Sequence, residues 1–153
     1  MKRFIRENCI RLLVFLLLCL FFVLWGRTVV KELKENCYVQ NLVTLDARLC
    51  CLKNFGWEVD ETSEVLREVS IPDPLDTVYI KYNALQTPCG FNLEPYRGRK
   101  AICYTYLARN FPYPVSEPVY VNLLICEGTL IAGDCMSNAI DGFMLPLDRR
   151  LLP

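Results

Sequence analysis

The residues best suited to chemistry crowd into "CGFNLEPYRGR", residues 89–99, which holds a cysteine, an asparagine, a tyrosine and two arginines. A thiol nucleophile needs its pKa lowered by a base, a cation or a helix N-terminus. Cys89 instead follows Thr87-Pro88, at the end of a helical pattern, and the chain contains no histidine. That absence removes the commonest general acid/base, the usual partner of Ser and Cys nucleophiles, and the commonest transition-metal ligand. The stretch reads as a turn. Gly90 and Gly98 supply permissive dihedrals, Asn92 bonds the backbone after it or caps the short turn Leu93 to Tyr96, and Phe91 and Tyr96 pin the loop to the core.

Other candidates are weaker. Asp134 and Asp141, in "IAGDC" and "IDGFM", would suit acid/base work as a carboxylate pair; Asp beside Gly is more often turn chemistry. Arg97, Arg99 and Lys100 offer an anion site, against the ordinary reading of a solvated strand entrance. Lys81, Asn83 and Gln86 lie together on a helix face read as exposed, and form a candidate partner surface. The acidic run Glu58 to Asp76 lacks the alternating acids and central glycine of a calcium loop and reads as a solvated face. No catalytic, cofactor-binding or metal residue is assigned.

Nine cysteines need weighing. Cys9 and Cys19 fall in the N-terminal apolar region, leaving Cys37, Cys50, Cys51, Cys89, Cys103, Cys126 and Cys135. An odd number excludes complete internal pairing, and there is no C-x-x-C to suggest zinc. Several occupy apolar positions of elements, where a free thiol acts as a small hydrophobe. Structural thiols are the leading expectation; one or two disulfides, or a metal site, are the alternatives.

Leu12 to Trp25 is fourteen apolar residues without a break. A spanning helix needs about 20, which Ile10 to Val30 provides if Arg11 and Arg27 snorkel to the interfaces. A cleaved signal peptide is the rival, but Leu24-Trp25-Gly26 lacks the small-x-small pattern. A lipid anchor on Cys19 is disfavoured, since no small residue precedes it. Charge divides at the same place: residues 1–35 hold seven Lys/Arg and three Asp/Glu, for +4, and residues 36–153 hold ten and fourteen, for −4. An acidic second part argues against nucleic acid as a partner. Lys2, Arg3, Arg6 and Arg11 against Arg27, Lys31 and Lys34 favour a cytoplasmic N-terminus. The expected organisation is a cytoplasmic 1–9, a transmembrane signal-anchor at 10–30, a tether at 31–40, an extracytoplasmic domain at 41–148 and a tail at 149–153.

The elements that would position these residues follow from periodicity. Leu42, Leu45, Leu49 and Leu52 recur at helical spacing, begun by Asn41 or Thr44 and ended at Gly56. Val65, Arg67, Val69 and Ile71 alternate as a strand, with Trp57 to Val59 as a shorter strand before it. Asp73-Pro74 reads as N-cap and first residue of a second helix whose stripe is Leu75, Val78, Tyr79, Tyr82 and Leu85. Three strands are predicted at Lys100–Arg109, Val119–Cys126 and Thr129–Met136, the last two joined by a tight hairpin at Glu127-Gly128. The fold class is α+β: an N-terminal transmembrane helix, then a small domain of two helices packed on one face of an antiparallel sheet.

The ordered motifs "FGWEV", "YNALQTPCGFNLEPYRGRKAICYTY", "VNLLICEGTLIAGD" and "DGFM" resemble a family of uncharacterised, membrane-anchored envelope domains from Gram-positive anaerobic bacteria. The likeness covers roughly residues 40–147 and implies location and domain extent, with no catalytic residue to transfer. Members more often carry Asp where this chain has Asn92, and often His where it has Leu145. The functional expectation is a non-catalytic binding or interaction module of the cell envelope, partnered by the membrane and by an envelope protein or component, without a cofactor. The alternatives are an envelope enzyme using Asp134 and Asp141, and a thiol or metal protein.

Overall fold

The computed structural model describes residues 18–26 and 39–153. The chain divides into two compact units, Met1–Cys37 and Tyr38–Pro153. In the first, residues 18–26 are helical, and every one of them is exposed, including Phe21, Phe22 and Trp25. The expected span at 10–30 and tether at 31–40 lie largely outside the described residues. Among the described residues no helix is long and apolar enough to cross a membrane.

The second unit is α+β. Helix α1 (Leu45–Asn54) begins where the Thr44 side chain accepts from the Ala47 amide, and Gly56 follows its end at φ +88. Strand β1 (Val59–Ser70) leads to helix α2 (Thr77–Gln86), and β2 (Lys100–Ala108), β3 (Val119–Cys126), β4 (Thr129–Ser137) and β5 (Met144–Pro146) complete the chain. All five strands pair antiparallel in sequence order, as a meander. Glu127 and Gly128 both take positive φ, 50 and 78, the geometry that matches a two-residue hairpin to strand twist.

Several expectations change. Helix α2 starts three residues beyond Pro74, with Asp76 as N-cap accepting from the Tyr79 amide; Asp73-Pro74 is a cis peptide before it. The two strands expected around residues 57–71 are one, with its register shifted between Asp60 and Val65. The short strand β5 has no counterpart among the expectations. The expected tail at 149–153 is packed: the Arg149 amide donates to Phe55 O, and Leu152 lies against the core.

The helices also take opposite faces of the sheet rather than one. Leu52 and Cys51 of α1 share a core with Trp57, Tyr104, Tyr106, Val121 and Leu123. Tyr79 and Tyr82 of α2 pack on the alternate residues, Cys103, Leu124 and Ala132 among them. The physical reason lies in the central strands. "VYVNLLIC" and "TLIAGDC" are almost continuously buried, as strands covered on both faces must be.

A buried cation fastens the α1 side. Arg48 is 5 % exposed. Its guanidinium donates to Glu64 at 2.9 and 3.1 Å, to Tyr106 Oη at 2.9 Å and to the Leu42 and Val43 carbonyls. Tyr106 Oη in turn donates to Glu64, and the guanidinium stands 4.0 Å above the Tyr104 ring. Glu64 reaches in because of the β1 irregularity, where Ser63 Oγ takes over as acceptor for the Leu107 amide. Burial works against the Arg48 charge, but the Tyr106 and Glu64 bonds outweigh it and raise the pKa.

Candidate functional site

The α2 face of the sheet carries one row of polar side chains set by register. Thr105 pairs with Asn122 across β2–β3, and Asn122 with Asp134 across β3–β4. Directly opposite residues share a face within side-chain reach, so the row becomes a chain. Thr105 Oγ1 donates to Asn122 Oδ1 at 2.6 Å, and Asn122 Nδ2 donates to Asp134 Oδ1 at 2.7 Å. From above, the Tyr82 hydroxyl of α2 donates to Asp134 Oδ2 at 2.8 Å.

Asn122, Asp134 and Tyr82 of this network line a cleft of about 560 Å³ between α2 and the sheet, whose walls also carry apolar groups such as Leu85, Leu124, Met136 and Met144. Arg67 and Lys81 also line it, and both are exposed. Asp134 is 3 % exposed. Burial raises its carboxyl above the ordinary range, partly offset by the Asn122 and Tyr82 bonds. Burial, then the neighbouring Asp134 charge, pushes the Tyr82 hydroxyl well above its ordinary value.

The sequence candidates separate in space. Asp134 is not turn chemistry: it sits inside β4. Asp141 is exposed and borders a different cavity, formed with residues such as Val115, Ile140 and Phe143. The two make no carboxylate pair in one cleft. Of the proposed partner surface, Lys81 is exposed and Asn83 is half-buried; Asn83 holds the 92–93 turn by accepting from the Leu93 amide and donating to Asn92. Gln86 is a correction. It is fully buried, with its Oε1 accepting from the Gly133 amide and its Nε2 without a partner among the described residues. The pairing of β4 with β5 stops at Asp134, so the side-chain amide serves the next β4 amide.

The 89–99 stretch is a turn. Pro88 opens a 3-10 turn over Thr87–Cys89, Gly90 ends it at φ +78, and Asn92 Oδ1 accepts from the Glu94 amide. Cys89 is half-buried and packs on the α1-side core. Burial raises its thiol, the wrong direction for a nucleophile. The three cations of the proposed anion site are each committed to carboxylates: Arg97 to Glu94 and Asp73, Arg99 to Glu127, Lys100 to Glu68. The described cysteines are all free. Burial pushes Cys51 and Cys135 up to about 12. Among the described residues no group of three His, Cys, Asp or Glu stands where it can hold a metal ion.

Arg67, Tyr82, Thr105 and Asn122 were not among the sequence candidates. A signal for the last two was present: each is a polar residue inside an apolar strand run, as Asp134 is, and the three face one another once the hairpin register is fixed. Comparison with protein-family models, with curated proteins and with solved structures finds no match to this chain.

Proposed function

We propose that this protein is a membrane-tethered, extracytoplasmic binding module of the cell envelope, of the kind its sequence motifs resemble, and that it binds without catalysis. The observation that carries the binding reading is the α2 cleft: a concave, mostly apolar space with a few converging polar groups, the usual make-up of a ligand site. Its one buried carboxylate, Asp134, is bonded on both oxygens, and the cysteine that borders it, Cys103, has its thiol raised by burial. The carboxylate-enzyme alternative needs a second acid beside Asp134, and Asp141 borders another cavity.

Support for the tether is the uninterrupted apolar run Leu12 to Trp25, flanked by basic residues, whose helical portion at 18–26 exposes its apolar side chains. With four basic residues before the span and three after it, the N-terminus stays inside. Intact cells bearing a tag at each end, treated with a membrane-impermeant protease, test the topology. The C-terminal tag is expected to be lost and the N-terminal tag kept; the reverse pattern, or a mature protein beginning near Arg27, would refute the tethered arrangement. Crosslinking in native membranes with mass spectrometry tests the binding role, and a partner footprint away from the α2 cleft would move the site elsewhere.

A further inference from the structure

The α2 cleft separates opposite charges. Asp134 is held only by neutral donors, and among the described residues no cation pairs with it. Arg67 and Lys81 line the same cleft from exposed positions, and among the described residues neither is ion-paired. A buried carboxylate without a counter-charge is costly. The hydrogen bonds are nevertheless arranged for the anion: Thr105 donates to Asn122 Oδ1, which turns the Asn122 amide nitrogen toward Asp134. A carboxylate offers about four acceptor positions, and these bonds use two. Tyr79 and Tyr82 border the space, and aromatic faces favour an ammonium group.

An anionic ligand alone would meet Asp134, and a cationic one alone would be opposed by Arg67 and Lys81. A ligand with both charges matches both. We propose that the cleft binds a small zwitterion with an apolar body, its ammonium group against Asp134 and the tyrosines, its anionic group toward Arg67 and Lys81. This inference rests on the binding reading above and names its ligand class. Free apolar amino acids and zwitterionic lipid headgroups share this chemistry.

Calorimetric titration of the full chain in maltoside micelles tests it with matched probes. These are L-leucine, isoamylamine (the same body without the carboxylate) and 4-methylpentanoate (the same body without the amine), with phosphocholine as the headgroup probe. Leucine is expected to bind at least tenfold more tightly than either truncated analogue; tighter binding of phosphocholine than of leucine supports the same site with a headgroup as the source. Asp134→Asn should abolish leucine's advantage over 4-methylpentanoate. Lys81→Gln should reduce its advantage over isoamylamine, and as an exposed change it keeps the test informative if Asp134→Asn does not fold. Equal affinities for the three matched probes, or a leucine advantage untouched by both substitutions, overturns the zwitterion assignment while leaving a binding cleft in place. Failure of both leucine and phosphocholine to bind overturns it as well; the binding reading itself then stands or falls on the crosslinking experiment.

Discussion

Arg48→Ala removes a guanidinium whose donors hold five acceptors: the Glu64 carboxylate oxygens, Tyr106 Oη and the Leu42 and Val43 carbonyls. Taking away one member of a buried ion pair costs about 3–5 kcal/mol, because the charge left behind loses its partner. Glu64 keeps 19 % of its side chain exposed and can draw in water, and Val43 is exposed, so the lower end, about 3 kcal/mol, applies. At about 4 °C per kcal/mol for a domain of this size, Tm falls by about 12 °C. Trp57, 2 % exposed and bonded to Leu147 O at 2.5 Å, is the single tryptophan after residue 37, so fluorescence of a 38–153 fragment follows the transition. A double-mutant cycle with Glu64→Met and Arg48→Met isolates the pair. The double variant should recover most of the loss, since an apolar replacement of a buried pair is often neutral. A fall below about 4 °C for Arg48→Ala, or strictly additive losses in the cycle, refutes the reasoning.

Asp134 gives a pH dependence of defined sign. Its native pKa is raised by burial, so its contribution is full below the unfolded value of about 3.9 and is lost as pH rises through the native value. Wild type should therefore lose stability relative to Asp134→Asn as pH climbs from about 4; parallel urea-midpoint curves for the two would count against it. Gly133→Ala should destabilise by about 1–3 kcal/mol, because an added Cβ meets Leu147 Cδ2 at 2.7 Å and the Asn122 carbonyl at 2.9 Å; an unchanged Tm would mean the strands part there. In the 38–153 fragment an Ellman-type reagent should label exposed Cys50 first, with buried Cys51, Cys126 and Cys135 reacting only on unfolding. Simultaneous labelling would contradict the burial pattern. Cys89→Ser should cost within about 1 kcal/mol, since the half-buried thiol packs only at the margin of the α1-side core; a loss of several would mean that the side chain is fully enclosed.

The central strands were legible because their apolar runs are bounded by turn residues, and the Glu127-Gly128 hairpin fixed one register. The start of α2 was not, since "DPLDT" offers two aspartates three residues apart and either can cap. Sidedness of the helices is a matter of how the connections run. Only the two-faced burial of β3 and β4, written as apolar runs that Asn122 and Asp134 alone interrupt in their middles, hinted at it. Arg48 and Gln86 were hidden by their own polarity. Arg48 sits three residues before Cys51 and four before Leu52, on the buried stripe of α1, and Gln86 is inside because a β4 amide needs its oxygen. Three-residue β5 with Pro146 is too short for any periodicity. At the site, Asp134 could be singled out as an acid, but Tyr82, Asn122 and Thr105 became its partners only through strand register and the path of α2.

The meander has a kinetic consequence. The β2–β3, β3–β4 and β4–β5 pairings close short loops, whereas β1 reaches β2 only through α2 and the bond from Trp57 to Leu147 joins residues ninety positions apart. Loop-closure entropy favours the near pairings, so the β3–β4 hairpin is expected to form early and the clasp of residues 147–152 on Phe55 and Trp57 to form late. Truncating Leu123 should then slow refolding, and truncating Leu147 should mainly hasten unfolding. Tryptophan fluorescence reports the last step of assembly, so a chevron measured by fluorescence that ran ahead of one measured by circular dichroism would reverse this order.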